Sequence, residues 1–128
     1  MVTNASMTLE WDPRARVASV RYAPDANLTA ADGDFMVDAL TSWIGPAGVP
    51  FAVLADAAGL GSTEAAYRAT VSRFFRRHRE TAFIALVNLG SVIHVVVEMF
   101  RIGTGIQLKT FAGKAEARAW LRTRGIAA

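Results

Sequence analysis

This 128-residue sequence predicts an α/β fold: a single mixed, mostly parallel five-stranded sheet with about four helices, in the order β-β-α-β-α-β-α-β-α. Three observations predict it. Short apolar runs of strand length alternate with longer segments of helical periodicity, the pattern of βαβ units. Two of those runs, FAVLAD (51–56) and TAFIALVN (81–88), are apolar on both sides, as in strands covered by helices on both faces. The first 22 residues instead hold two weakly alternating runs around a proline turn, which marks an antiparallel hairpin.

The elements follow in order. MTLEW (7–11) and VASVRY (17–22) are the hairpin strands, and Pro13 in DPRAR is pre-set for the turn between them. In LTAADGDFMVDALTSWI, Thr29 and Asp32 have the spacing of a capping box, a hydroxyl answered by an acid three residues on. Leu28, Met36, Ala39, Leu40 and Trp43 then share one face, with Asp34 and Asp38 off it, and GPAGVP stops the helix. FAVLAD is a central strand. A second helix is expected from about Thr63 to Arg79, with Tyr67, Val71, Phe74, Phe75 and His78 inward and Arg68, Arg73, Arg76, Arg77 and Arg79 outward. TAFIALVN is the next buried strand.

SVIHVVVEMFRIG is valine-rich, which favours strands. It is assigned as a helix because Ser91 can cap it, Val92, Val95, Val96 and Met99 share a face, and Gly103 supplies a stop. GIQLKTF is the last strand, and GKAEARAWLRTRG is a last helix closed by Gly125.

The composition is 52% hydrophobic and 20% charged, that of a folded chain with one core, and residues 1–128 read as one domain. There is no cysteine, which removes disulfides and thiolate metal sites and fits a cytoplasmic setting. The N-terminus lacks the basic start and apolar run of a secretory signal. The uncharged stretches 39–55 and 81–97 are each shorter than the roughly 20 residues of a spanning helix, so no transmembrane segment is expected. The net charge of +3 divides unevenly: residues 1–64 carry −5 and residues 65–128 carry +8. Attraction between the two halves of one fold accounts for this more simply than a basic binding face.

FAVLAD, VVEMFRIGTGIQLKTF and AGKAEARAWL together resemble the STAS domain of bacterial anti-anti-sigma factors, and the broader SpoIIAA-like group that includes relatives of Sec14-type lipid binders. The resemblance spans nearly the whole chain and rests on element order and local texture. It implies a non-enzymatic regulatory or scaffolding domain, active in bacterial signalling, that binds a protein partner through the loop after FAVLAD and the second helix. In regulatory members a serine or threonine at the start of that helix is phosphorylated, usually within Asp-Ser-Ser-Gly. Here GLGSTEAA stands instead, with Thr63 and Glu64 near the family's acid and acceptor positions and Ser62 and Thr63 the available hydroxyls.

The candidate site is therefore Asp56, Gly59, Gly61, Ser62, Thr63, Glu64, Arg68 and Arg76. Gly59 and Gly61 permit close backbone approach, and a helix start suits an anion. The structural reading is simpler: Ser62 or Thr63 caps the second helix, and Asp56 accepts N–H groups in a turn. No phosphate-loop lysine, G-x-G-x-x-G or G-x-S-x-G motif is present. His78 and His94 fall on different helices without partners at metal-ligand spacing. No catalytic residue, metal or cofactor is expected. In RFFRRHR (73–79) the phenylalanines read as core and the arginines as a rim, so nucleic acid is not an expected partner. The alternative function is binding of a small lipophilic ligand or lipid in a cavity lined by Trp43, Phe74, Phe100 and Trp120. A homodimer is compatible with the edge offered by the N-terminal strand.

Overall fold

A computed structural model describes residues 1–128, the side chains of Ser91 and Val92 excepted. Six strands form the main sheet: β1 (Val2–Thr3), β2 (Met7–Asp12), β3 (Val17–Tyr22), β5 (Phe51–Asp56), β7 (Ala82–Val87) and β8 (Gln107–Phe111), side by side in that order. β1, β2 and β3 pair antiparallel, and all later pairings are parallel. The mixed α/β architecture is the predicted one, with six strands in place of five. The added strand is two residues long, too short to show alternation, and pairs Val2 with Leu9 and Thr3 with Thr8.

A second, unpredicted sheet joins β4 (Ala26–Leu28) to β6 (Leu60–Thr63) in parallel. Neither strand is legible alone. One is three residues, the other carries a glycine, and their pairing exists only once the intervening chain has folded.

The four helices are α1 (Ala30–Ile44), α2 (Ala65–Arg77), α3 (Ser91–Thr104) and α4 (Lys114–Thr123). α1, α2 and α3 pack on one face of the sheet, around a core that includes Leu9, Val20, Leu40, Val53 and Phe75. α4 alone covers the other, where Ala117 and Leu121 meet Val17, Leu54 and Val87. Helices on both faces explain why β7 is buried along its whole length and β5 up to its final aspartate. Among the described residues no helix is long and apolar enough to cross a membrane.

α1 begins as its sequence dictates. Thr29 is the N-cap, and the Asp32 carboxylate reaches back to the Thr29 N–H at 2.9 Å. Asp32 is 6% exposed and does more than cap. It also accepts from Asn4 Nδ2 at 2.9 Å and from Ser6 Oγ at 3.1 Å, which ties the β1–β2 turn to the helix start. At the far end Gly45 adopts φ +66, and Arg16 donates to the Ile44 and Pro50 carbonyls. Arg16 also lies 5.5 Å over Trp11, which stacks on Trp43.

Three expected helix details are corrected. α2 starts at Ala65, not Thr63, because Ser62 and Thr63 extend β6, and it ends at Arg77 with His78 as C-cap. α3 runs through Gly103 to Thr104 and is closed by Gly105 at φ +69, whose N–H bonds the Arg101 carbonyl. A glycine inside a helix costs about 1 kcal/mol but does not end it; the left-handed cap does. Finally, α3 turns Val97 and Phe100 toward the core and Val96 toward the cavity beside it, while Val95, Met99 and Ile102 are 62%, 70% and 72% exposed. The expected grouping of Val95 with Val96 fails because His94, Glu98 and Arg101, at i, i+4 and i+7, mark the outward side, and Val95, Met99 and Ile102 flank that stripe. The expected Ser91 cap and the placement of Val92 lie outside the described residues.

Candidate functional site

The chain leaves β5 at the C-terminal edge of the sheet, where open α/β folds place their crevices. Asp56 ends that strand. It accepts from Asn88 Nδ2 at 3.0 Å and from the Ala58 N–H at 3.1 Å, so its expected role as a turn acceptor is met. The Asn88 bond, then the Ala58 bond, hold its carboxyl below the ordinary value against the opposing effect of burial, with Lys114 and Arg21 adding attraction. Asp56 alternates with Leu54 and Ala52, which face α4. Its carboxylate is thus engaged away from the hydroxyls of the next segment.

Residues 57–64 do not hang free. The Ala57 N–H bonds the Val87 carbonyl, the Ala26 N–H bonds the Gly59 carbonyl and the Glu64 N–H bonds the Leu28 carbonyl. Gly59 is required for this approach, and Gly61 makes it closer than a side chain would comfortably allow. A Cβ on Gly59 would lie 2.5 Å from the Tyr22 carbonyl oxygen, and one on Gly61 would lie 3.1 Å from the Asp25 carbonyl group. The glycines predicted to admit a ligand admit the chain's own backbone instead.

On this ledge the polar groups form two sets, a row of Ser62, Asn27 and Glu64 and a pair of Thr63 and Arg68. Ser62 Oγ donates to Asn27 Oδ1 at 2.7 Å, and Asn27 Nδ2 donates to Glu64 Oε2 at 3.0 Å. Arg68 Nη1 donates to the Thr63 carbonyl at 2.6 Å and to Thr63 Oγ1 at 2.9 Å. Neither hydroxyl caps α2: Glu64 is its N-cap, without a side-chain cap bond. The capping expectation fails because both residues lie in β6 ahead of the N-cap, Ser62 bonding Asn27 across the ledge and Thr63 accepting from Arg68 of α2. Ser62, Thr63, Glu64 and Arg68 are brought together, Gly59 and Gly61 shape the backbone beneath them, and Arg76 lies further along α2 at its C-terminal end. Asn27 and Asn88 organise the site and were missed. Asparagine at a strand end is a weak signal, and the partners of both lie more than thirty residues away.

The row lacks the machinery of nucleophilic catalysis. The partner of Ser62 is an amide, which cannot accept its proton as a base. His78 packs edge-on against Phe51 and close to Phe74, and burial, with the adjacent Arg77, pushes its pKa down. His94 is exposed on α3.

Behind the ledge lies an apolar cavity of about 110 Å³, between α2, α3 and the sheet, with Tyr67, Phe75, Leu86, Ile93 and Phe100 among its walls. Thr63 and Arg68 stand on its lining as well. Two tyrosines reach it. Burial pushes Tyr22 up to about 12, against a hydrogen bond from Tyr67, and burial also raises Tyr67 well above its ordinary value. Tyr67 Oη meets Met36 Sδ at 3.8 Å. Of the four residues expected to line a cavity, only Phe100 does. Trp43 stacks on Trp11, Phe74 packs against Phe51 and Phe75, and Trp120 lies on the α4 face beside Phe83 and Phe111.

No protein-family model and no curated protein matches the sequence. Solved structures do match. One is a Shewanella loihica protein of the DUF3478 family with a SpoIIAA-like fold: TM-score 0.70, 18% identity, covering 94% of this chain and 98% of that one. An anti-sigma-factor antagonist (STAS) domain protein from Planctomyces limnophilus matches with TM-score 0.65 and 17% identity, over 93% and 99% of the two chains. The anti-sigma factor antagonist SpoIIAA, in its unphosphorylated form, matches with TM-score 0.64 and 16% identity, over 94% and 100%. At these identities the likeness is one of fold.

Proposed function

We propose, from the premise of a SpoIIAA-like fold, that this chain is a non-enzymatic regulatory domain that binds a protein partner. The contact surface is the ledge of β4 and β6 with the exposed side of α2: Gly61, Ser62, Thr63, Glu64, Arg68 and Arg76, with Asp56 and Gly59 shaping the turn that presents them. The observation that carries this reading is the fixed polar row of Asn27, Ser62 and Glu64, exposed yet already hydrogen-bonded to one another. A surface held in one geometry before contact loses little conformational entropy on binding. The structures of similar fold add support, since two are described as anti-sigma-factor antagonists.

Such a domain acts by occluding or recruiting its partner. A phosphate on Ser62 would remove the proton that Oγ donates to Asn27 and set new negative charge beside Glu64, repelling it. Phosphorylation of this row would therefore loosen the surface.

Affinity capture from a native extract of the source organism tests the proposal. A Glu64→Lys, Arg68→Glu double variant should retain its specific partner at least about tenfold less well than the unmodified chain, the usual scale for reversing contact charges. Arg118→Glu, on α4, should retain it fully. Capture of no specific protein, or equal capture by the double variant, would refute the reading.

The cavity favours a second reading, a small lipophilic ligand. An engineered apolar cavity of about 150 Å³ holds benzene, so about 110 Å³ suits a group of only a few carbons. The guanidinium of Arg68 on its lining would suit an acidic head group. Native mass spectrometry of protein purified from its own host should show a bound non-protein mass that organic solvent releases. Repeated preparations free of any such mass would eliminate this reading.

A further inference from the structure

The far end of α2 from the ledge carries a second surface, which shares only Arg76 with the proposed partner surface. A 13-residue helix spans about 20 Å, so the two ends are separate places. There a cleft of about 420 Å³ opens between the α1–β5 turn, at Ala47 and Gly48, and the segment that closes α2. Its walls carry Arg76, Arg77 and Arg79, three guanidiniums within four consecutive positions. We infer that this cleft is an oligophosphate site, taking the di- or triphosphate group of a small ligand.

The charge at this place has no internal explanation. Among the described residues the ion pair within 4.0 Å is Arg101 with Glu98, on α3. Glu80 is the carboxylate on the cleft wall, and it pairs with none of the three arginines. His78 also lines the cleft and is held toward its neutral form, so it adds no opposing or balancing charge. Arg16, a further base near the α1–β5 turn, is spent on the Ile44 and Pro50 carbonyls. The attraction between acidic and basic halves expected from sequence therefore does not consume these arginines. Three like charges in one concave wall repel each other, and a multivalent anion between them removes that repulsion.

The C-terminal end of α2 carries partial negative charge, which three full guanidinium charges outweigh, and part of that end is already bonded. The Phe74 and Phe75 carbonyls accept the His78 N–H, and the His78 carbonyl accepts from the Thr81 and Ala82 N–H groups. Those lone pairs face bonds inside the protein.

Shape and size choose among anions. The cleft is an open depression with a polar wall, which suits a charged group that stays partly hydrated. Guanidinium forks match phosphate oxygens two at a time. Three of them suit two or three phosphates, whereas duplex binding rests on roughly six to ten phosphate contacts. Gly48, at φ +95, lets the opposite wall turn tightly without a side chain in the opening.

Titration of the full chain with inorganic triphosphate, followed by amide NMR in about 50 mM salt, tests the site. The salt is kept low because phosphate contacts weaken steeply with ionic strength. The amides of Ala47, Gly48 and Thr81 should shift together, with a submillimolar Kd. Arg77→Ala with Arg79→Ala should weaken binding at least about tenfold, the loss of two bidentate contacts. Arg118→Ala with Arg122→Ala removes the same charge from α4 and should change it less than about twofold. These pairs leave the ledge intact, and Arg76 as well, so the result is independent of the protein-partner proposal. Absence of binding, equal loss in both double variants, or inorganic monophosphate bound as tightly as triphosphate would each overturn the assignment.

Discussion

Asp32→Ala is expected to destabilise the protein by about 3 kcal/mol, read as a lower midpoint in urea unfolding. The magnitude follows from the bonds lost. The carboxylate accepts from the Thr29 N–H and hydroxyl, from Asn4 and from Ser6. A hydrogen bond to a charged group contributes roughly 1.5–3 kcal/mol, and loss of a helix cap alone costs about 1. Alanine also strands donors in a place with little water, since Asp32 is buried. Asp32→Asn separates charge from shape: it keeps the volume and part of the cap but cannot accept from every donor, so it should fall between.

The same residue sets an acid sensitivity. Burial alone would raise its pKa, but the bonds from Thr29, Ser6 and Asn4 outweigh burial and hold it below 3.8. A carboxyl with a depressed folded pKa stabilises above its unfolded pKa, near 3.9, and that contribution fades as pH falls through the folded value. The stability difference between the native chain and Asp32→Asn should therefore be constant near neutral pH and shrink below about pH 4. A difference that stays constant through the acid range would contradict the bond network.

Gly59→Ala should cost about 3 kcal/mol, at the upper end of overpacking effects. The added methyl would sit 2.5 Å from the Tyr22 oxygen and 2.8 Å from the Ala23 oxygen, both backbone atoms that cannot rotate away. Relief requires the end of β3 or the ledge to retreat, and the ledge, held by fewer bonds, is the part that yields. Gly113→Ala is the matched control, because a Cβ there meets nothing within 4 Å. Equal stability of the two variants would show that the ledge does not press on the β3–β4 turn.

How much of this was legible in the sequence depends on the range of the interactions. FAVLAD and the strand at 82–87 read correctly because burial on both faces writes an apolar run. The Thr29–Asp32 cap read correctly because its atoms are three residues apart. Phe74 and Phe75 read as core because α2 has a true polar side against which they stand out. The N-terminal limit of α2 did not, since Thr63 resembles a cap until Leu28 is known to pair with it. The α3 face was misread because the run of valines was followed, whereas the polar stripe of His94, Glu98 and Arg101 marks the outward side. In the site, the residue types of Ser62, Glu64 and Arg68 were visible, but their organiser, Asn27, lies across a whole βαβ excursion.

That excursion has a consequence for when the ledge exists. Bonds between residues 35 and 37 positions apart can close only when the entropy of the intervening loop, which holds α1 and β5, has been spent. The ledge is then a sign that the chain from β4 to β6 has come together. A partner that touched both Asn27 and Glu64 would meet only molecules in which this region is assembled, and by mass action would protect that state from proteolysis.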